Sequence, residues 1–247
     1  MTTDNSKKTE ERIDDLGRRG YRIIQNPGLF CFGTDAVFLA DFVRSSPGDK
    51  ALDLCSGNGI IPILLMARDK AARVTGIEIQ KESADLFRRS VLLNGLEDEI
   101  NVICGDIKNE SLLTDTFDIV TSNPPYMSAG EGLTNPDTPK ALARHEIMCD
   151  FSDVSAAASR TLNAGGRFFF VHRPRKMTEI FAELKKNRLE AKRMRFVHPK
   201  EGERANLILV EAVKDGGVQM IIEPPLIVYK APGVYSDEVK AMYSGKE

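Results

Sequence analysis

The sequence predicts an α/β fold in which a mostly parallel sheet carries helices on both faces. From residue 50 onward, short apolar runs rich in β-branched residues alternate with segments whose apolar residues recur at helical spacing. Turns that contain glycine separate several of these segments. Strands that alternate with helices form right-handed βαβ units, and such units bring parallel strands together in one sheet.

Length and composition agree with one large domain of this class. The chain has 247 residues, a formal net charge of −2, and ordinary hydrophobic and charged fractions of 42% and 28%. Its four cysteines lie far apart, and no histidine lies at ligand spacing from another histidine or a cysteine, so we predict no metal site and reduced thiols. No segment is apolar enough for a signal peptide or a membrane span, which predicts a cytoplasmic protein without a membrane partner.

Residues 1–33 are predicted to form an N-terminal appendage that contains a helix and a hairpin. Residues 11–17 have the composition of one or two helical turns. The apolar runs 21–25 and 29–32 flank an Asn-Pro-Gly sequence, which is typical of a hairpin turn.

The main domain is predicted over residues 34–247, where strands and helices alternate. Strands are predicted at 50–55, 73–79, 100–104, 117–122, 167–172, 193–198 and 205–213. Helices are predicted at 36–43, 60–68, 81–93, 151–162 and 176–188. The long segment 127–149 is rich in Gly, Pro, Asn and Thr, and a loop of this length is often functional. After residue 214 the sequence adds one short strand near 220–222 and then loses its pattern.

Polar side chains and glycines follow four neighbouring strands of the predicted sheet. Ligands of such sheets bind outside the carboxyl ends of the strands, where the strand order reverses. Gly57 and Gly59 follow the first strand and let a ligand approach the backbone closely. Glu78 ends the second strand, 19 residues after Gly59, where a carboxylate can accept both hydroxyls of a ribose. Asp106 follows the third strand and Asn123 the fourth.

These strand ends predict a site for a nucleoside without a pyrophosphate. A dinucleotide fingerprint would have a third glycine where this chain has Pro62. S-adenosylmethionine requires only backbone room for its amino-acid end and acceptors for its ribose and its adenine amine. Asp106 is placed to accept from that amine, and Ile79 and Ile107 could sandwich the ring. Each acidic residue alone could be a solvated strand end or a turn residue, but the register of all the features favours the cofactor site.

Asn123, Pro124, Pro125 and Tyr126 follow the fourth strand directly. The prolines fix the backbone of the turn. The side-chain oxygen of Asn123 and the carbonyl of Pro124 can accept the two N–H groups of a planar amine, and the Tyr126 ring can stack on the attached base. Such residues also occur together in ordinary loops, so the tetrapeptide alone does not decide between a turn and an amine clamp. The cofactor site predicted upstream favours the clamp.

Several motifs together resemble those of one enzyme family. They are residues 32–40, 53–59, 78–79, 105–106, 123–126 and 143–146. With them, the stretch 32–213 resembles class I S-adenosylmethionine-dependent N-methyltransferases, and more closely the bacterial tRNA(Val) adenine-37 N6-methyltransferases. The resemblance implies a Rossmann-like, seven-stranded, mostly parallel sheet whose last strand is antiparallel. It also implies methyl transfer to the exocyclic N6 of an adenine in the anticodon loop of a valine tRNA.

The resemblance also implies roles for individual residues. It implies that Asn123, Pro124 and Tyr126 hold the amine for direct in-line transfer, which is positioning and electrostatics without a covalent intermediate. The cofactor-binding residues that it implies are Thr34, Asp35, Asp53, Cys55, Gly57, Gly59, Glu78, Ile79, Asp106, Ile107 and Asn123.

A basic stretch follows the predicted catalytic turn. Residues 167–200 contain eleven basic and three acidic residues, a local charge of +8 in a chain whose total is −2. This predicts tRNA as the partner and a face that contacts its phosphates, although a charge run is often only a solvated surface. An adenine in an anticodon loop must be splayed out to enter the pocket. The candidate RNA-binding residues are Arg144, His145, Arg173, Arg175, Lys176 and Arg204.

Other functions are compatible with parts of this pattern. A protein-glutamine N5-methyltransferase acting on a release factor would hold a side-chain amide in the same turn, but such enzymes usually have a helical domain before the cofactor core. An rRNA guanine-N2 methyltransferase is a second alternative, and a DNA adenine methyltransferase usually has a larger target-recognition domain. A non-catalytic RNA-binding module would not need the cofactor motifs, and an NAD-dependent dehydrogenase would not need the Asn-Pro-Pro-Tyr turn. The sequence leaves the oligomeric state open.

Overall fold

The structure, a computed structural model, describes residues 11–29, 31–125 and 149–244, and it contains a central sheet flanked by helices. Its strands are β1 (Arg12–Asp15), β2 (Arg22–Gln25), β3 (Lys50–Leu54), β4 (Arg73–Glu78), β5 (Ile100–Cys104), β6 (Phe117–Ser122), β7 (Leu162–His172), β8 (Leu189–His198), β9 (Leu207–Lys214), β10 (Ile221–Ile227), β11 (Tyr229–Ala231) and β12 (Val234–Tyr235). Its helices are α1 (Thr34–Phe42), α2 (Ile60–Ala67), α3 (Lys81–Asn94), α4 (Phe151–Thr161), α5 (Met177–Lys186) and α6 (Asp237–Tyr243).

Eight of the described strands form the central sheet, in the order β10-β8-β9-β7-β6-β3-β4-β5. From β3 the chain moves outward to β4 and β5 and then returns to β6 on the other side of β3, so the strand order reverses between β3 and β6. The pairs from β5 to β7 are parallel, whereas β9 is antiparallel to both β7 and β8. This confirms the predicted α/β class and its antiparallel strand. The predicted count of seven strands is one too low, because β10 pairs with β8 in parallel.

The apolar core lies in two layers, one on each face of the sheet. Helices α1, α2 and α3 cover the first layer, which contains Phe87, and α4 and α5 cover the second, which contains Leu184. Successive side chains of a strand point to opposite faces. Accordingly, Phe169 of β7 belongs to the first layer while Phe168 and Phe170 belong to the second. Within the described ranges, no helix is both long and apolar enough to cross a bilayer.

Each strand and helix predicted between residues 34 and 213 is present. The bounds of β5 and β6 are the predicted ones, and most others differ by one or two residues. Two strands begin earlier than predicted, β7 at Leu162 and β8 at Leu189. Of the long segment 127–149, all but the last residue lies outside the described part of the chain.

The predicted N-terminal helix and hairpin are both wrong. Residues 11–17 contain β1 instead of a helix, and the hairpin partner of β2 is β1. A hydrogen bond from Leu16 N to Tyr21 O, 2.9 Å long, closes the turn between the two strands. The strand β1 is short and charged, and its one aliphatic residue, Ile13, is 54% exposed. It therefore carries no apolar alternation that would distinguish it from a polar helix.

The hairpin of β1 and β2 is bound to helix α3 by side chains of the helix. Asn94 Oδ1 accepts Arg22 N at 2.8 Å, and Asn94 Nδ2 donates to Arg22 O at 2.7 Å. Ser90 Oγ accepts Ile24 N at 3.0 Å. The outer edge of β2 is therefore satisfied by the main domain. The predicted boundary between an appendage (1–33) and the main domain stays a prediction.

The chain after residue 214 is ordered into strands and a helix, which corrects the prediction that it loses its pattern. A buried guanidinium, that of Arg193 in β8, holds β10 in place. Its Nε donates to Glu211 Oε2 in β9 at 2.6 Å, and its Nη1 donates to Glu223 Oε1 in β10 at 3.1 Å. Its Nη2 donates to Phe42 O at the end of α1 at 2.6 Å. One side chain thus joins three strands and a helix, a set of contacts that local sequence does not reveal.

Helix α6 lies against the N-terminal hairpin and α2. Arg18 Nε and Arg68 Nη2 both donate to the carbonyl of Met242, at 3.2 and 2.6 Å. A Cβ on Gly17 would lie 2.6 Å from Tyr243 O, so the two segments are in close contact. We call the contact of Arg18 and Arg68 with Met242 the terminal clasp. It joins the turn of the N-terminal hairpin and the end of α2 to the C-terminal helix.

Candidate functional site

The turn between β3 and α2 consists of residues 55–59, and we call it the glycine turn. It lies at the carboxyl end of β3, beside the point where the strand order reverses. Gly59 N donates to Ser56 O at 2.9 Å, which closes the turn, and Ser56 N donates to Ile77 O at 3.0 Å, which ties it to β4. Gly59 has a φ of +87°, and a Cβ there would lie 1.9 Å from the Phe87 ring. Backbone conformation and packing therefore both require glycine at this position.

Gly57 faces open space and is fixed by the carboxylate of Glu78. A Cβ on Gly57 would meet nothing within 4 Å. Gly57 N donates to Glu78 Oε2, and Gln80 N donates to Glu78 Oε1, both at 2.8 Å. Burial raises the pKa of Glu78, and these N–H groups oppose the rise. Each carboxylate oxygen has a second lone pair, so Glu78 keeps acceptor capacity for ribose hydroxyls.

Asp53 is completely buried in β3, below the glycine turn. Thr121 Oγ1 donates to Asp53 Oδ1 at 2.6 Å, while Asp53 Oδ2 has no hydrogen-bond partner among the residues that the structure describes. Burial raises the pKa of Asp53 to about 7, although the bond from Thr121 opposes the rise. A buried carboxylate oxygen without a partner favours a cationic or hydrogen-bond-donating ligand group nearby. The sequence analysis did not identify Thr121 as a site residue. The one local indication was a hydroxyl side chain within an otherwise apolar strand.

Asp106 and the two isoleucines lie at the ends of β4 and β5. Asp106 Oδ1 accepts Lys108 N at 2.9 Å, and its side chain is 37% exposed. Ile79 is 40% exposed, whereas Ile107 is 4% exposed and packs in the second apolar layer. Asp106 and Ile79 therefore present accessible surface to a ligand. The sandwich of an adenine ring between Ile79 and Ile107 stays a prediction.

Thr34 and Asp35 form the start of α1, and β2 links this start to the glycine turn. Asp35 Oδ1 accepts the next backbone N–H at 2.9 Å. The side chain of Gln25 in β2 accepts Phe32 N at 3.2 Å. Asn58 Nδ2, in the glycine turn, donates to a carbonyl of β2 at 3.3 Å. The hairpin that sequence reasoning misassigned thus connects two parts of the predicted cofactor site.

Cys55 occupies the first position of the glycine turn with a φ of +62°, a conformation that residues with a side chain rarely adopt. Its hydrogen bond with the Cys149 thiol and its burial raise the pKa of Cys55. The thiol therefore stays protonated and contributes packing instead of charge. Within the described ranges, no group of three or more His, Cys, Asp or Glu side chains could hold a metal ion.

Asn123 follows β6 at the same edge of the sheet. Ser122 Oγ donates to Leu54 O at 2.9 Å, and Ser122 pairs with Leu54 in β3 and with Phe170 in β7. Asn123 therefore lies between the glycine turn and the end of β7. Asn123 is partly exposed and Pro124 is buried. The predicted contact residues Tyr126, Arg144 and His145 lie outside the described residues.

The structure brings the predicted strand ends to one edge, in the order Asp106, Glu78, the glycine turn and Asn123. Three strand spacings of about 4.8 Å separate the first from the last, so the edge extends roughly 14 Å, which suits a nucleoside with an acceptor base beside it. Arg173, Arg175 and Lys176 follow β7 at the same edge, and Arg204 lies in the connection from β8 to β9, also at that edge.

The chain is similar to known proteins over most of its length. Residues 20–197 match the methyltransferase small domain family. The tRNA1(Val) (adenine(37)-N6)-methyltransferase of Aeromonas hydrophila is 28% identical over 206 residues, which cover 83% of this chain and 85% of that protein. The protein of the same name from Porphyromonas gingivalis is 29% identical over 216 residues, which cover 83% and 84%. Among solved structures, a predicted O-methyltransferase from Agrobacterium tumefaciens is similar with a TM-score of 0.68 and 27% identity, over 85% of this chain and 95% of that one.

Proposed function

This chain belongs to the methyltransferase small domain family, and we propose that it transfers a methyl group from S-adenosylmethionine to the exocyclic N6 of an adenine in tRNA. We further propose that the adenine is position 37 in the anticodon loop of a valine tRNA and that the reaction takes place in the cytoplasm. The observation that carries the proposal is the meeting of the glycine turn, Glu78, Asp106 and Asn123 at one edge of the sheet. The names of the similar proteins support the choice of substrate.

The residues at the first three strand ends fit S-adenosylmethionine. The open side of Gly57 leaves room for the amino-acid end, and Glu78 and Asp106 offer acceptors for the ribose and the adenine amine. Asp53 supplies a buried carboxyl group with an unused oxygen under the same turn, where a cationic ammonium is favoured. When bound, the cofactor supplies a sulfonium methyl group, which is the electrophile.

Asn123 and Pro124 would hold the acceptor. The amino nitrogen of adenine is a poor nucleophile, because its lone pair is conjugated into the ring. Hydrogen bonds from the amine to the Asn123 side chain and to the Pro124 carbonyl fix the direction of the nitrogen. The contribution of the protein is then orientation and electrostatic stabilisation. An adenine must leave the stack of its loop to reach this clamp.

The proposal is tested by methyl transfer from labelled S-adenosylmethionine to total tRNA from cells that lack this protein. After digestion to nucleosides, the label should be found in N6-methyladenosine. A valine tRNA in which guanine replaces adenine 37 should accept no label. Label only in N2-methylguanosine would support the guanine alternative. If the tRNA accepts no label and a protein extract of the same cells does, the result would support a protein-glutamine methyltransferase, and the proposal would then be abandoned.

A further inference from the structure

The edge of the sheet that holds Asn123 continues beyond β6. Strands β7 and β8 end at this edge and β9 begins there, since His172 pairs with Ile208 and Val197 pairs with Leu207. The step from β6 to β8 crosses β7 and β9, which is three strand spacings of about 4.8 Å. The connections at the edge thus extend roughly 14 Å away from the clamp.

These connections carry five cations together with the acidic residues Glu201 and Glu203, and we call the five cations the basic rim. The rim consists of Arg173, Arg175, Lys176, Lys200 and Arg204. Arg173 Nη1 donates to Asn206 O at 3.1 Å, which binds the connection after β7 to the one before β9. Lys176 and Lys200 lie 3.0 and 3.6 Å from exposed carboxylates three residues away, which are those of Glu179 and Glu203. Such exposed pairs are weak, so a phosphate can displace them.

The other exposed cations of the basic stretch lie at the opposite edge. Lys185 and Lys186 lie at the end of α5, and Arg188 immediately precedes β8. They lie 3.4, 3.2 and 2.7 Å from carboxylates, which are those of Glu190, Glu183 and Asp215. Strand β8 has 10 residues. At about 3.3 Å per residue, roughly 30 Å separates these cations from the rim.

Two further arginines of the stretch serve the fold. Arg193 is buried in its network with β9, β10 and α1. Arg195 donates to Pro224 O at 2.9 Å and to Glu238 Oε1 in α6 at 2.7 Å. Both guanidinium groups are therefore held by hydrogen bonds within the fold. The local charge of +8 in the sequence therefore overstates the charge that one RNA molecule meets.

We propose that the RNA backbone lies along the basic rim and leaves the Asn123 clamp across the ends of β7, β9 and β8. The cations of the opposite edge make no contact with it. This inference rests on the proposed function, because a target adenine at Asn123 fixes where the flanking phosphates begin. The rim supplies charge within one to three strand spacings of the clamp, which is where the nucleotides adjoining the target base lie.

Two charge-matched variants test the rim. The rim variant is Arg175→Gln, Lys200→Gln and Arg204→Gln, and the control variant is Lys185→Gln, Lys186→Gln and Arg188→Gln. All six side chains are exposed, and each variant removes three positive charges, so their effects on the total charge are equal. The measurements are the Kd for substrate tRNA at several salt concentrations, methyl-transfer kinetics, cofactor affinity and thermal unfolding.

The rim variant should bind tRNA about a hundredfold more weakly at 0.1 M salt, because each lost phosphate contact removes about 0.7–0.9 from the slope of log K against log salt. Its KM for tRNA should rise while its kcat at saturating tRNA is kept. The control variant should bind within about threefold of the wild type. In both variants, cofactor affinity and unfolding temperature should be those of the wild type.

Equal loss in both variants, or tRNA binding by the rim variant at the wild-type affinity and salt slope, would overturn the rim. In either case, a wild-type chain that still forms N6-methyladenosine in tRNA would leave the proposed function intact. A wild-type chain that methylates no tRNA would refute the proposed function, and the rim with it.

Discussion

The buried carboxyl group of Asp53 makes a pH-dependent contribution to the free energy of unfolding. The pKa of its buried carboxyl group is about 7, above the ordinary value of 3.8. Because the folded-state pKa is raised, the protonated form is favoured in the folded protein. Its contribution to stability is fully present below about pH 4 and is lost as the pH rises through 7. At neutral pH and above, the ligand-free protein therefore holds an ionised group that the fold disfavours.

The substitution Asp53→Asn removes this titration and keeps the shape of the side chain. Relative to the wild type, the free energy of unfolding of the variant should increase by about 2–3 kcal/mol more at pH 8 than at pH 5. Denaturant unfolding of both proteins at the two pH values measures this difference. A difference between variant and wild type that stays constant with pH would contradict the raised pKa.

Asn123 has a direct role in turnover under the proposed function. The substitution Asn123→Ala should lower kcat by about 10²–10³, because one preorganised acceptor of the amine is lost. Cofactor affinity should stay within about threefold, since most of the proposed cofactor contacts lie at the ends of β3, β4 and β5. Steady-state methyl transfer and calorimetric titration measure the two effects. The control is Asn101→Ala on the exposed face of β5, and an Asn123 variant as active as this control would refute the clamp.

At the scale of elements, the glycine turn contains two glycines with positive φ. Gly59 packs against Phe87, whereas Gly57 faces the open side where we propose that the cofactor binds. Gly59→Ala should lower the free energy of unfolding by about 3 kcal/mol or more, because the new Cβ adds a clash with Phe87 to the conformational cost. Gly57→Ala should lower it by only about 1–2 kcal/mol, the conformational cost alone, and should weaken cofactor binding. Urea unfolding and cofactor titration of both variants check this. Equal destabilisation would contradict the packing of Phe87 against the turn.

The elements that sequence reasoning located are those bounded by local signals. Strands β5 and β6 are apolar runs that end at turn residues, and they have the predicted bounds. Strand β7 includes Asn163, Gly165 and Gly166, which locally indicate a turn. The predicted strand therefore began only after these residues, whereas the observed strand begins at Leu162. The meeting of the glycines and acidic residues at one edge was predictable for the same reason, since their positions at strand ends are visible along the chain. The bond from Thr121 to Asp53 joins residues far apart in sequence and was not predictable from it.

For the whole molecule, the C-terminal segment belongs to the core. Leu226, Val228, Val239 and Met242 are buried, and burying each such side chain contributes about 1.5–3 kcal/mol. Their sum is comparable with the roughly 5–15 kcal/mol stability of an ordinary domain. A chain that ends at residue 215 should therefore fail to give a cooperative thermal transition at the wild-type temperature, as followed by circular dichroism. A chain that ends at residue 244 is the control and should melt like the wild type.

The charge distribution also belongs to this scale. The length of β8 separates two groups of cations that the sequence presents as one stretch. An electrostatic prediction from sequence sums charges along the chain, whereas RNA meets only those on one edge.

If the chain that ends at residue 215 keeps the wild-type melting temperature, the C-terminal strands and helix do not contribute to the stability of the sheet.

The terminal clasp has a consequence for chain connectivity. Arg18 Nη2 also lies 3.4 Å from Ser244 O, so the turn of the N-terminal hairpin lies beside the end of α6. A linker from 244 to 11 that is long enough to span β1 could join the two segments, and new termini could open between Gly217 and Val218, an exposed position outside β9 and β10. Such a circular permutant would be synthesised with β10 first and β9 last, while the order of strands in the sheet and the cofactor edge would be unchanged. We therefore expect the fold to depend on which segments are neighbours in space and not on the position of the chain termini.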